Sequence, residues 1–156
     1  MTDLTATIAA LDDATAVRVL ADIADYQAPL PDPAQLRSME TGLRQATATD
    51  PALTSYTDPG APAGAGDLAR ATLQHLAARP DLATVITRAI QDSGHPTRDP
   101  VTLTVAALVV IALQTEVKLS RDPKGHWAFT IHKHPMRDSA LGQVITKLLG
   151  YISSGH

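Results

Sequence analysis

The sequence predicts a predominantly helical α+β protein, with about seven helices and a C-terminal two-stranded β-hairpin packed under the last helix. Three observations carry this. Apolar residues recur at three- and four-residue spacing over most of the chain. Asp-Pro and Pro-Asp pairs interrupt those runs where helices begin. One segment, 114–134, switches to two-residue alternation around a turn sequence. The chain has 156 residues, 44% of them apolar, which is enough for a real core. Its 26 alanines against one Phe, one Trp and three Tyr suit closely packed helices and make each aromatic informative.

From the N-terminus, Thr2 or Asp3 caps a first helix with Leu4, Ile8 and Leu11 on one stripe. Asp12 or Asp13 caps a second, with Val17, Leu20, Ala21 and Ala24 at helical spacing. Pro29, Pro31 and Pro33 end that run, and Asp32-Pro33 starts a third helix carrying Leu36, Met39 and Leu43 that fades near Thr47. Residues 48–66 are rich in Pro, Gly and Ala and show neither period. They read as a flexible connector between an N-terminal helical lobe, 1–47, and a C-terminal lobe, 67–156. Their glycines lack the lysine and spacing of a phosphate-binding loop.

Asp67 opens the next helix, with Leu68, Thr72, Leu73 and Leu76 on one face. Pro80-Asp81 restarts the chain into a helix burying Leu82, Val85, Ile86, Ala89 and Ile90. This pair offers a groove only Thr84, Thr87, Arg88 and Gln91, so a structural helix pair is preferred to a DNA-reading one. Residues 101–113 are apolar nearly all round. They span about 20 Å as a helix, short of the roughly 30 Å of a bilayer core. A buried central helix is expected, with a buried strand as the alternative.

The strongest local signal is the hairpin. Asp122-Pro123-Lys124-Gly125 suits a type I turn closed by a glycine bulge. That turn sets Arg121 opposite Trp127, Leu119 opposite Phe129 and Val117 opposite Ile131, on one face that is apolar apart from Arg121. The other face pairs Ser120 with Ala128, Lys118 with Thr130, Glu116 with His132 and Gln114 with His134. A lone ribbon needs cover, and the stripe of Leu141, Val144, Ile145, Leu148, Leu149 and Ile152 in the last helix is the expected one. Both outer edges then keep unpaired backbone groups able to accept a strand. Whether the N–H of Lys118 or Thr130 faces such an edge is left open.

Charge is uneven. The net is −6 over residues 1–60 and +3 over 111–156, within a total of −3. Such a division fits either internal complementarity or head-to-tail contact between copies. Fourteen of the 16 acids are Asp, many at caps and turns, and they serve backbone N–H groups before any chemistry. The absence of cysteine excludes disulfides and thiolate catalysis and suits a reducing cytoplasm. The acidic opening, MTDLTATIAALDD, does not read as a signal peptide.

No nucleophile elbow is present, and His75 and His95 stand alone; His75 reads as a surface or edge residue. His132, His134 and Glu116 form a coherent two-His, one-carboxylate set, but on a wet ribbon a surface Glu–His pair is preferred to a metal. The reading is therefore of a non-catalytic adaptor or assembly subunit in a multi-component system, without cofactor or metal. It acts on a protein partner, or on itself, through helical faces and the hairpin ribbon: Glu116, Lys118, Arg121, Lys124, Trp127, Thr130, His132, Lys133 and His134. The alternative is a nucleic-acid or anionic-surface binder that uses the bases of this ribbon, with Arg137 beside them.

Overall fold

The computed structural model describes residues 4–27, 32–49, 64–92, 105–113, 116–131 and 140–153. Among these, seven helices and one hairpin follow in the order α1 (Leu4–Ala9), α2 (Asp13–Gln27), α3 (Pro33–Thr49), α4 (Ala65–Leu76), α5 (Pro80–Asp92), α6 (Val105–Ala112), β1 (Val117–Arg121), β2 (Trp127–Ile131) and α7 (Ala140–Ser153). The fold is the predominantly helical α+β architecture expected.

Caps define the helix starts. Asp12 Oδ1 accepts the Thr15 N–H at 2.8 Å, and Asp32 Oδ1 accepts the Gln35 N–H at 2.8 Å, so each aspartate satisfies one orphan donor. α4 differs from expectation. It starts two residues before Asp67, with Gly64 in an extended conformation as its cap and no side-chain capping bond. Asp67 instead serves the first turn, where its carboxylate favours the positive helix end and binds Arg70.

α6 is the hub. All eight of its residues are buried, and it is a helix rather than the alternative strand. Small Ala106, Ala107 and Ala112 beside Leu108, Val109 and Ile111 let neighbours approach on every side. α2 packs on α4, α5 and α6, while α3 packs on α6, α7 and both strands. Elements before and after residues 50–63 thus contribute to one apolar cluster. Most of the expected connector 48–66 lies outside the described residues; at its ends, Thr49 is still in α3 and Ala65 already in α4.

One packing expectation is corrected. The last helix was expected over the hairpin, but the principal cover is α3, with α6 also touching β1. α7 buries Val144, Ile145, Leu148, Leu149 and Ile152 chiefly on α4. The physical reason is fit. α4 presents its own buried stripe of Leu68, Leu73 and Leu76, whereas α3 carries Gly42, where the missing Cβ makes room for Trp127.

Candidate interaction surface

The hairpin is built from its turn outward. Gly125 has φ +87°, the left-handed conformation that glycine adopts without a Cβ clash. Its N–H donates to the Asp122 carbonyl at 3.0 Å, and the Asp122 N–H donates to the His126 carbonyl at 2.9 Å. Asp122 Oδ1 also accepts the N–H groups of Lys124 and His126. Those bonds, first of all the one from His126, hold the Asp122 carboxyl below its ordinary value. Strand pairing follows: Val117 with Ile131, Lys118 with Thr130, Leu119 with Phe129, Ser120 with Ala128, Arg121 with Trp127. Each pair is the one the turn sequence implies.

This register also settles which backbone groups face outward. Asp122 and His126 form a hydrogen-bonded pair, and such pairs alternate along an antiparallel ladder. Ser120–Ala128 and Lys118–Thr130 are therefore also inward-bonded, and their N–H groups belong to the ladder. The outward groups are those of Val117, Leu119 and Arg121 on β1 and of Trp127, Phe129 and Ile131 on β2. The Val117 N–H confirms the phase, since it leaves the ribbon and donates to the Leu113 carbonyl at 2.9 Å. Among the described residues no third strand joins either edge.

The apolar face is sealed by degree. Val117, Phe129 and Ile131 are buried, Leu119 and Trp127 half-buried, Arg121 exposed. The Trp127 indole lies against Gly42 of α3 so closely that a Cβ there would overlap the ring. Arg121 sits over the other end of this contact, its guanidinium carbon 5.7 Å from the ring centroid, a cation–π distance. A groove of about 350 Å³ opens beside it, lined by Ala34, Arg37, Ser38, Thr41, Arg121 and Trp127. The sequence reading did not include Arg37. The signal was its spacing of four from Thr41 and seven from Arg44 along one side of α3.

The remaining ribbon residues separate. Lys118, Lys124 and Thr130 are exposed, as expected of the wet face and the turn. Glu116 is half-buried, and its Oε1 lies 3.6 Å from Nε2 of His75, itself only 18% exposed at the side chain. His75 thus links α4 to the start of the hairpin, a long-range pairing invisible in sequence spacing. His132, Lys133 and His134 lie outside the described residues. Among the described residues no group of three His, Asp or Glu is placed to hold a metal.

Electrostatics elsewhere point to structure. Asp12 is held low chiefly by its hydrogen bonds with Thr15 and Asp67 by its bond with Arg70, both exposed capping or first-turn residues. Burial, and then the neighbouring Glu40, push the Tyr151 phenol up. Among the described residues no helix is long and apolar enough to cross a membrane. No protein-family model, curated protein or solved structure matches this chain.

Proposed function

We propose that the protein is a non-catalytic assembly or adaptor subunit that engages a protein partner through the α3–hairpin unit, by strand addition to an edge of the ribbon. The observation that carries this is the set of outward backbone groups at Leu119, Arg121, Trp127 and Phe129, which no further strand meets among the described residues. A ribbon held on one face by α3 is pre-ordered, so a partner strand gains its hydrogen bonds without paying to organise the edge.

The test is a pair of substitutions at one position. Arg121→Ala removes the side chain and keeps the outward N–H; Arg121→Pro removes both. Partner recovery with a tagged chain from its native cells should survive the first and fail with the second. Retention by both variants overturns edge pairing on β1. Lys118→Pro and Thr130→Pro serve as controls that break the inner ladder itself.

A second reading, an anionic-surface or nucleic-acid binder, draws on Arg37 sharing a groove with Arg121, with Lys118 and Lys124 nearby in the chain. Phosphate binding falls steeply with salt, whereas strand pairing does not. Lys118→Glu with Lys133→Glu, which leaves the backbone intact, should abolish only the former.

A further inference from the structure

We propose that the groove between α3 and the turn end of the ribbon is a binding site for a phosphoryl dianion, either inorganic phosphate or a small phosphate monoester. The site uses the same groove as the anionic-surface reading, which it narrows to one discrete ligand, and it is independent of strand pairing.

Two cations meet there without a counter-charge. Arg37 and Arg121 line the groove, with the hydroxyls of Ser38 and Thr41 beside them. Arg70 and Arg79 are ion-paired, whereas neither Arg37 nor Arg121 has a carboxylate partner among the described residues. The carboxylate next to Arg121 in the chain, that of Asp122, is committed to the turn, where it accepts the N–H groups of Lys124 and His126. The groove thus holds two guanidinium groups whose charge the described residues do not neutralise.

These parts are held by their surroundings. The Arg121 guanidinium carbon lies 5.7 Å from the centroid of the Trp127 ring, and Gly125 is so near that a Cβ there would be 3.4 Å from an Arg121 nitrogen. Arg37 and Thr41 stand one turn apart on α3 and so share a side of the helix, with Ser38 between them.

The donor set selects the ligand. A guanidinium presents its N–H groups as a fork that binds two acceptor oxygens at once. One such fork is enough for a carboxylate. A phosphoryl group has three terminal oxygens and a charge of about −1.5 to −2 at neutral pH. It can therefore use both forks, match both cations, and accept a hydroxyl on the oxygen left over.

The carrier is small for two reasons. The groove holds about 350 Å³, near the lower end of the roughly 300–1,000 Å³ of ligand sites. The indole also has no free face for a base. The Cβ that Gly42 lacks would fall nearest Cδ2, a ring-fusion carbon with no open side in the ring plane, so α3 lies on one face. Arg121 stands over the ring as well. Base stacking, on which single-stranded nucleic-acid binding depends, is thereby denied.

The experiment titrates the full chain at constant ionic strength, read by calorimetry and by the emission of Trp127, the single tryptophan. Glycerol phosphate should bind saturably, and acetate far more weakly. Arg37→Ala and Arg121→Ala should each weaken glycerol phosphate binding roughly 10- to 100-fold, because each removes charge-assisted hydrogen bonds. Both positions are exposed, and unchanged helical circular dichroism certifies the fold. Inorganic phosphate binding as tightly as glycerol phosphate assigns the free ion, and weaker binding assigns the ester; the site stands in both cases. Lys118→Glu with Lys133→Glu should leave glycerol phosphate bound, which separates this site from the surface reading. Glycerol phosphate bound no better than acetate, or equally well by Arg37→Ala, overturns the site and leaves the strand-edge reading to its own alanine–proline pair. Adenosine monophosphate bound about tenfold more tightly than glycerol phosphate overturns the small carrier, since the ring would then have a face to offer.

Discussion

Gly42 and Gly66 each let a side chain from a distant element lie against a helix backbone, and the two contacts differ in chemistry. At Gly66 of α4 the visitor is Asp13, from the start of α2. Its carboxylate meets Arg70 at 2.9 Å, and Arg70 also binds Asp67 at 2.7 Å and the Leu11 carbonyl at 3.0 Å. Each carboxylate there is paired with Arg70, and the pairing pushes the Arg70 guanidinium up and Asp67 down. At Gly42 of α3 the visitor is the rigid indole of Trp127, and the cation above it, Arg121, has the ring and no carboxylate partner among the described residues. A matched polar contact closes a surface. An apolar contact topped by an unmatched cation leaves a surface with capacity to bind.

The largest test of this contrast is Phe129→Ala, which removes the buried ring beside Trp127 on the α3-facing side. A loss of about 3–5 kcal/mol in denaturant unfolding is expected. A near-neutral change would show that α3 does not seal the hairpin. Gly42→Ala comes next. Alanine favours a helix by up to ~1 kcal/mol, yet its Cβ would meet a ring that cannot bend, so a net loss of about 1–3 kcal/mol is expected. A red-shifted Trp127 emission should accompany it.

Gly66→Ala should matter least among the three. The Asp13 carboxylate, 77% exposed, can swing away and give up an ion pair of only about 0.2–1 kcal/mol; its Cβ cannot, so the first turn of α2 must also shift slightly to admit the methyl. If it costs more than Gly42→Ala, the contrast is inverted.

The smallest effect is acid sensitivity. Asp12, Asp67 and Asp122 all have folded values below the ordinary 3.8. Their contribution is therefore complete above 3.8 and is lost as pH falls through the lower, folded values. Thermal melts should stay level down to about that pH and then decline. Asp122→Asn should flatten part of the decline, because it keeps an acceptor in the turn and removes the titration.

Much of the ribbon was legible in advance because short-range rules govern it. Asp122, Pro123 and Gly125 specify a turn with one register, and that register decides every cross-strand pair. The direction of each N–H was in the same signal, since the narrow pair at Asp122 sets the alternation; Lys118 and Thr130 point inward for that reason. Asp12 and Asp32 were readable as capping candidates by the same local logic. The start of α4 was not, because a glycine cap leaves no side-chain signature and Asp67 imitates one.

The sequence by itself determined the helices other than α6, the turn, the hairpin register and the burial of α6, because backbone sterics, capping bonds and apolar periodicity act within a few residues; an all-apolar run carries no period, so helix or strand at α6 was left to the fold. Only the tertiary structure decided that α3 rather than α7 covers the ribbon, that Arg37 joins Arg121, and that His75 meets Glu116. An apolar stripe states that a face must be buried and carries no direction toward its cover. That choice falls to shape summed over the whole core, and here the absent Cβ of Gly42 is what makes room for Trp127.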